Sequence, residues 1–173
     1  MKGNLLENLP SDTFDGLTGL TALNLASNNL TTIDTELFTE LHAVSYISLA
    51  YNHMVSFCPH LFHGLSRLNH IEMTTNNLTQ IDPGVFRGLF DLAKVNLSYN
   101  QLEEIDQNIF ADLINLKVVN LGFNRLKVHD SSYFKGLSDE CRFYLNEEKE
   151  ELRYLNYDDV DRINLEMANV DED

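Results

Sequence analysis

The sequence repeats itself every 24 residues, and this period constrains the fold more than any other feature. Each unit follows the pattern L-x-x-L-x-L-x-x-N-x-L-x-x-I-x-x-x-x-F-x-x-L, with residues 20–41 as a full example, and the pattern recurs five times without an insertion. A fixed period of this size indicates stacked supersecondary units. The strictest columns are Asn28, Asn52, Asn76, Asn100 and Asn124, and Phe14, Phe38, Phe62, Phe86, Phe110 and Phe134.

Each unit predicts one short strand with one buried face. Leu23 and Leu25 alternate with Ala22, Asn24 and Ala26, which is the period of two expected for such a strand. Identical units stacked in one direction give a parallel sheet with one strand per unit and neighbours about 4.8 Å apart. The same alternation recurs at Ile47/Leu49, Ile71/Met73, Val95/Leu97 and Val119/Leu121.

The chain must turn after each strand, and the Asn column supplies side chains for that turn. An Asn amide has two donors and an acceptor, so it can bond backbone groups of its own coil and of the next coil. Turn backbone that cannot reach water needs such partners, so we expect these asparagines to point inward. The Phe column is expected to fill the far side of the core. A recurring Asp is expected to cap each helical return turn, at Asp34, Asp82, Asp106 and Asp130.

With these motifs the sequence resembles the leucine-rich repeat family, in its 24-residue type found in secreted proteins and receptor ectodomains. The resemblance covers roughly residues 4–145. It implies an α/β fold, a curved solenoid with a parallel sheet on the concave face and short helical turns or irregular segments on the convex face. We expect the solenoid to span residues 1–137, as a truncated first unit and five full units, and residues 138–173 to form a degenerate repeat or cap and an acidic tail.

Both ends depart from the family pattern. Met1 aligns with Leu25, so the first unit begins after its strand and lacks the cysteine-bearing cap that secreted relatives usually carry. We therefore expect a fragment or a truncated gene, with the edge of the first strand exposed. At the other end, residues 141–146 predict a sixth strand, residues 147–155 a short amphipathic helix, and residues 156–173 a weakly structured acidic tail.

Outward strand positions would form one open face, and the resemblance implies that this concave face binds the partner. Small residues fill one column while aromatic side chains flank it, and aromatic side chains supply large contact area at low entropic cost. The competing interpretation is that the tyrosines merely shield the sheet. The predicted partner-binding residues are Tyr46, Tyr51, His70, Glu72, Lys94, Asn96, Tyr99, Asn120 and Phe123.

The sequence offers little catalytic or metal-binding chemistry. Cys58, His60 and His63 lie close together, but Phe62 at a core position turns its neighbours outward, and a zinc site needs four ligands or three plus an open position. His70 and Glu72 share a strand face without a nucleophile beside them. We therefore expect no enzymatic activity, no metal site and no cofactor.

Charge limits the partners. The chain has 27 acidic and 12 basic residues, a formal net charge of −15. This argues against nucleic acid or an anionic membrane, because both attract clustered Lys and Arg. Residues 1–137 hold 14 acidic and 8 basic groups, whereas residues 138–173 hold 13 and 4, so the excess is concentrated near the C-terminus. No apolar run approaches the roughly 20 residues of a membrane span, so no membrane insertion is expected.

Two alternatives remain for the compartment. Cys58 and Cys141 belong to strands about four positions apart, roughly 19 Å, so both are predicted to be free thiols, which favours a reducing compartment. Three possible N-glycosylation motifs, at Asn29, Asn77 and Asn96, favour secretion as a glycoprotein.

Two functional classes follow from these observations. The first is an extracellular or cell-surface module that binds a protein or peptide ligand on its concave face, similar to receptors of innate immunity and signal transduction and to adhesion proteins. The second is a cytoplasmic scaffold or regulatory subunit that holds a basic partner with its acidic tail and one solenoid face.

Overall fold

The chain folds into a single sheet in which sequential strands are spatial neighbours. The computed structural model describes residues 1–127, 137, 141–146 and 152–155 of the 173. Six strands pair in parallel, which confirms the predicted solenoid, and a seventh is antiparallel. They are β1 (Ala22–Asn24), β2 (Tyr46–Ser48), β3 (His70–Glu72), β4 (Lys94–Asn96), β5 (Val118–Asn120), β6 (Arg142–Asn146) and β7 (Leu152–Leu155).

The register of the sheet equals the period of the sequence. Leu23 pairs with Ile47, and Ile47 pairs with Ile71, each partner being 24 residues further along the chain. The step continues to β6, where Val119 pairs with Phe143, so the predicted sixth strand is confirmed. Because the register does not drift, every sequence column becomes a row of side chains that point the same way.

Inward columns fill a continuous apolar core behind the sheet. The central residue of each of β1 to β5 is buried, and so are the leucines and methionine that follow two positions later. On the far side the phenylalanines stack, with ring centroids 6.5 Å apart for Phe14 and Phe38, 6.1 Å for Phe38 and Phe62, and 6.0 Å for Phe86 and Phe110. The predicted Phe column is confirmed for these five, while Phe134 lies outside the described residues.

The Asn column is a ladder of hydrogen bonds between coils. Asn52 Nδ2 donates to the Leu49 carbonyl of its own coil at 3.0 Å and to the Leu25 carbonyl at 3.1 Å, while its Oδ1 accepts the Leu30 N–H at 3.0 Å. Leu25 and Leu30 belong to the coil before Asn52, so the ladder reaches back to the preceding coil. The predicted inward ladder is confirmed, but each Asn bonds the preceding coil and not the next coil as predicted. Equivalent bonds are made by Asn28, Asn76, Asn100 and Asn124.

The convex return segments are isolated turns. Among the described residues no helix occurs. The expected helical turns are separate i→i+3 hydrogen bonds that do not join into a helix, such as Leu41 N to Phe38 O at 3.0 Å. Three recurring aspartates cap these turns, as predicted: the Oδ1 atoms of Asp34, Asp82 and Asp106 accept the N–H two residues on, at 2.8, 2.8 and 2.7 Å. Asp130 lies outside the described residues.

The predicted helix over residues 147–155 is wrong where the structure describes it. Leu152–Leu155 instead forms β7, which runs antiparallel to β6 with Phe143 opposite Leu155. A strand at the end of a sheet presents unpaired N–H and C=O groups, and pairing them outweighs the helix propensity of a short acidic segment. The predicted acidic tail, residues 156–173, lies outside the described residues.

At the opposite end, β1 is an edge strand within the described part of the chain. The N-terminal residues pair with the segment that comes directly after β1. Gly3 N donates to Ala26 O at 2.9 Å, and Asn29 N donates to Leu6 O at 2.8 Å. Neither bond involves Ala22–Asn24 itself. The predicted exposed edge is therefore found at β1, with its flank partly covered.

Loss of one ladder amide should destabilise the protein far more than loss of its neighbour. Asn76→Ala leaves the Met54 N–H without its partner in the interior and removes one of the two asparagine donors to Leu49 O and to Met73 O, which keep Asn52 and Asn100. An unpaired buried group costs about 1–3 kcal/mol before relaxation, and the lost bonds add to this cost. We expect about 2–4 kcal/mol of lost unfolding free energy in urea titration. Asn77→Ala, at the exposed neighbour, should change it by less than about 0.5 kcal/mol. Equal losses would refute a structural role for the ladder.

Candidate binding face on the concave sheet

The concave face consists of the outward residues of β1 to β6 and of the second and third positions after each of the first five strands. Parallel pairing in register places Tyr46 beside His70, His70 beside Lys94, and Glu72 beside Asn96. The face therefore has four columns, each set by one position of the repeat. All nine predicted partner-binding residues lie in the first, second and fourth columns, while small residues occupy the third.

A hydrogen-bonded network joins β3 to β4. His70 Nε2 lies 2.8 Å from Glu72 Oε1, and Asn96 Nδ2 donates to Glu72 Oε2 at 2.9 Å. The side chains of His70 and Glu72 are 30% and 22% exposed. Because a carboxylate can only accept, Nε2 is the protonated nitrogen of this pair. Tyr46 packs edge-on against His70, with ring centroids 5.2 Å apart and planes at 87°. The network holds both oxygens of Glu72 in place.

The asparagines of the second column also shape the backbone. Asn96 Oδ1 accepts the Ser98 N–H at 3.1 Å, and Asn120 Oδ1 accepts the Gly122 N–H at 3.0 Å. Asn24 does the same for Ala26 at 3.0 Å. Such i→i+2 bonds are typical of Asx turns and fix the bend at the end of a strand. The sequence analysis missed this role, although the recurrence of Asn two positions before a small residue was its visible signal.

The fourth column has left-handed backbone in all five units. Its φ angles are 58° at Ser27, 54° at Tyr51, 55° at Thr75, 54° at Tyr99 and 57° at Phe123. This region is unfavourable for bulky side chains and is usually taken by Gly, Asn or Asp. Because every unit shares it, the conformation belongs to the repeat turn, and the aromatic residues occupy it despite a local cost. The sequence analysis did not foresee this backbone.

Aromatic side chains stand out from this column into solvent. Tyr51 is 57% exposed and Tyr99 is 53% exposed. Tyr99 stacks on Phe123, with ring centroids 4.2 Å apart and planes at 11°. Between this aromatic edge and the polar first column lies the small third column, where the Thr74 and Ser98 hydroxyls are 2.9 Å apart. The face is thus a shallow trough with an aromatic side and a polar side.

A depression of about 360 Å³ occupies the polar side between β3 and β6. It brings together five of the nine predicted residues, whereas Tyr51, Tyr99 and Phe123 lie outside its lining across the small column, and Tyr46 contacts it through His70. The sequence analysis missed Tyr144, whose position 24 residues after Asn120 was its signal. The lining residues are His70, Glu72, Lys94, Val95, Asn96, Val118, Asn120 and Tyr144.

Metal-ligating side chains do not converge in the described part of the chain, where no group of three or more His, Cys, Asp or Glu could hold an ion. The rings of His60 and His63 are 6.3 Å apart, and the thiol of Cys58 lies 3.9 Å from the Ile33 carbonyl. In the same part of the chain, no helix is long and apolar enough to cross a membrane.

Both cysteines are free, as predicted. Cys58 is exposed, whereas Cys141 is buried beside the start of β6. Burial raises the pKa of the Cys141 thiol to about 12, with a hydrogen bond to the Arg142 backbone acting in the opposite direction. Cys141 therefore remains a neutral thiol at physiological pH.

The three sequons differ in accessibility. Asn77 is exposed, Asn29 is half-buried, and the amide of Asn96 is engaged with Glu72 and Ser98. An oligosaccharyl group needs a free amide nitrogen, so Asn77 is the best presented of the three.

Comparison with known proteins links this architecture to one family model. The model described as "Leucine rich repeat" matches residues 2–54, 44–102 and 90–146, which together span most of the chain. A search of curated protein sequences gives no significant match.

Three solved structures illustrate the similarity. The APL1 leucine-rich repeat domain matches with 25% identity and a TM-score of 0.73, over 84% of this chain and 39% of that one. The TLR13–ssRNA13 complex matches with 26% identity and a TM-score of 0.68, over 83% and 21%. The Toll–Spatzle complex of Drosophila, at 21% identity and a TM-score of 0.54 over 83% and 26%, shares the fold alone. The chain therefore spans less than half the length of each.

Thiol labelling should count one reactive cysteine in the native protein. At pH 8 we expect an aromatic disulfide reagent to modify Cys58 within minutes, while Cys141, buried and protonated, reacts only after unfolding in denaturant. Cys58→Ser should leave no fast-reacting thiol. Two fast thiols per native chain would contradict the burial of Cys141.

Glycine should be tolerated at one residue of the turn and harmful at the residue before it. Thr75 has left-handed backbone. Replacing it with glycine should relieve about 1–2 kcal/mol of backbone strain. This gain should exceed the entropic cost of introducing a glycine, which is about 0.5–1 kcal/mol. We expect Thr75→Gly to raise the urea midpoint slightly.

Thr74→Gly is the matched control for this change, because it removes the hydroxyl bonded to Ser98 without relieving strain. It should destabilise the protein by about 1–2 kcal/mol. A Thr75→Gly variant as unstable as Thr74→Gly would show that the left-handed turn carries no strain.

Proposed function

The chain belongs to the leucine-rich repeat family, and on that premise we propose that it is a non-enzymatic module that binds a protein partner on its concave face. Members of this family are mostly binding modules without catalytic activity. Because the chain spans only part of its structural neighbours, the partner is argued from the face itself. The observation that carries the proposal is the row of exposed aromatic side chains on strained backbone.

Aromatic exposure is the first support. Tyr51 and Tyr99 leave more than half of their surface in water, and Phe123 extends the row through its stack on Tyr99. Leaving such rings exposed gains nothing for the monomer, whereas burying them against a partner releases apolar surface from water. Tyr residues in this setting dominate binding energies at protein interfaces.

Charge supports a protein ligand over nucleic acid. The TLR13 structure was solved with single-stranded RNA, so RNA is the main competing ligand. A nucleic-acid strand needs a series of cations along its phosphates. On the described outward strand positions the formal cations are Lys94 and Arg142, and Glu72 stands one strand from Lys94. A protein segment suits this distribution better.

Catalysis has no support on this face. His70 and Glu72 are bonded to each other, and Asn96 holds the second oxygen of Glu72. No Ser, Thr or Cys hydroxyl or thiol among the described residues is hydrogen-bonded to His70, so the base has no nucleophile to activate. We assign the pair a recognition role.

For localisation we propose an extracellular or cell-surface module of the receptor or adhesion type. Its similarity to the TLR13 and APL1 repeat domains and the exposed sequon at Asn77 support this assignment. The alternative, a cytoplasmic scaffold that holds a basic partner, is supported by the two free thiols. A glycan on Asn77 after secretion from eukaryotic cells would favour the extracellular assignment. Full solubility and function in a reducing lysate, without a glycan, would favour the cytoplasmic scaffold.

Charge introduced into the aromatic row should abolish binding without harming the fold. We would select 12-residue peptides from a phage library on the wild-type protein and measure their dissociation constants by fluorescence anisotropy. Tyr51→Asp and Tyr99→Asp should each weaken binding at least about 30-fold, the effect of losing a 2 kcal/mol contact. Their melting temperatures should stay close to the wild-type value, because both side chains are exposed and Asp tolerates left-handed backbone.

Ile114→Asp is the matched control, since Ile114 is 73% exposed and lies on the return segment before β5. It should bind the selected peptides like the wild type. If Ile114→Asp weakens binding and the two tyrosine variants do not, the binding face lies elsewhere on the solenoid.

A further inference from the structure

The depression between β3 and β6 favours a ligand charge that the net charge of the chain does not suggest. Its lining contains one acidic side chain, Glu72, and one exposed lysine, Lys94. Glu72 Oε1 faces His70 Nε2 and Glu72 Oε2 accepts from Asn96. Each oxygen of this carboxylate therefore already accepts one hydrogen bond from a neighbouring side chain.

Lys94 is in the opposite position. It lies at the first residue of β4, is exposed, and makes no ion pair within the described part of the chain. His70 and Val118 flank it on the neighbouring strands. The charge of Lys94 is therefore available to an anion that enters the depression.

A second donor lies across the depression. Asn120 uses its Oδ1 to accept the Gly122 N–H, and among the described residues its Nδ2 makes no hydrogen bond. Asn96, by contrast, uses its Nδ2 on Glu72 and its Oδ1 on Ser98. The depression therefore presents two donors without a hydrogen-bond or ion-pair partner among the described residues, Lys94 Nζ on β4 and Asn120 Nδ2 on β5.

From this arrangement we propose that the depression binds the carboxylate of an Asp or Glu side chain of the protein partner. The assignment rests on the proposed concave-face function and names what the polar side of that face recognises. Lys94 supplies charge, Asn120 supplies a directed N–H, and Val118 and Tyr144 line the wall around the methylene groups of the side chain. The carboxylate remains ionised throughout, and no covalent step is involved.

Charge complementarity selects this occupant over a basic segment. A basic side chain would meet the Lys94 ammonium, and at Glu72 it would share each oxygen with a hydrogen bond from His70 or Asn96. An RNA phosphate would find one lysine in this lining, Lys94, whereas strand binding needs several cations. The preference runs against the formal charge of −15, because the excess acid lies mainly outside the sheet.

Peptide selection tests the proposal directly. Random 12-residue peptides selected on the wild-type protein should be enriched in Asp and Glu relative to the unselected library. For one enriched peptide, Lys94→Ala should weaken the dissociation constant about 10-fold or more, the usual effect of losing a charge-assisted hydrogen bond. Lys2→Glu changes the same kind of residue at the far, exposed end of the solenoid and should alter binding less than about 2-fold.

A double-mutant cycle locates the contact. Replacing the critical peptide Glu with Gln should weaken binding to the wild type, and should have little further effect on the Lys94→Ala protein. Additive losses, or selection without acidic enrichment, would overturn the proposal. RNA competition gives another contradicting outcome. The proposal would fail if a 20-mer of uridylate displaced the peptide from the wild type at a lower concentration than unlabelled peptide does, and did not displace it from the Lys94→Ala protein.

The same experiment separates this proposal from the wider one. Peptides that lose binding to Tyr51→Asp but bind Lys94→Ala normally would leave the concave face as the binding surface and refute only the carboxylate site. Peptides unaffected by either change would refute both.

Discussion

Hydrogen bonding between coils through the buried asparagines is the constraint on which the rest of the structure depends. Strands β1 to β5 are only three residues long, so their own ladder cannot hold the turns that follow. Each ladder Asn satisfies backbone groups in two coils at once, and buried groups of this kind are costly when unpaired. An inserted residue would move the next Asn off its carbonyls and the next Phe off its stack. The 24-residue period is therefore strict because the interior enforces it.

Because the inward columns hold the fold together, the outward columns are free to vary. Inward positions repeat as Leu, Ile, Val, Met, Asn and Phe, whereas the first outward column changes from Ala22 through Tyr46, His70 and Lys94 to Val118. Neighbouring units then combine their outward side chains into features that no single unit contains. The network of His70, Glu72 and Asn96 spans two strands, and the depression beside it spans four. The features of the concave surface are therefore shared between neighbouring repeats.

Much of the fold could be predicted because the repeat encodes it directly. Alternation at Leu23 and Leu25 predicted the strand, and the 24-residue step predicted the register. Sequence could not predict β7, because pairing with the edge of β6 is a tertiary effect that local pattern does not contain. Nor could it predict that Glu72 accepts hydrogen bonds from its neighbours, since that depends on side-chain distances within and across strands. The left-handed backbone at Tyr51 and Tyr99 was hidden because that conformation is usually taken by Gly, Asn or Asp, and neither position has one of these residues.

Hydroxyl-radical footprinting most directly tests the claim that the concave face is the recognition surface. The method reports the solvent exposure of aromatic side chains in the free and bound protein. With a selected peptide at saturation, oxidation of Tyr51 and Tyr99 should fall several-fold, while Phe90, which is 57% exposed on a return segment, should react as in the free protein. Protection of Phe90 with unchanged oxidation of both tyrosines would contradict the account.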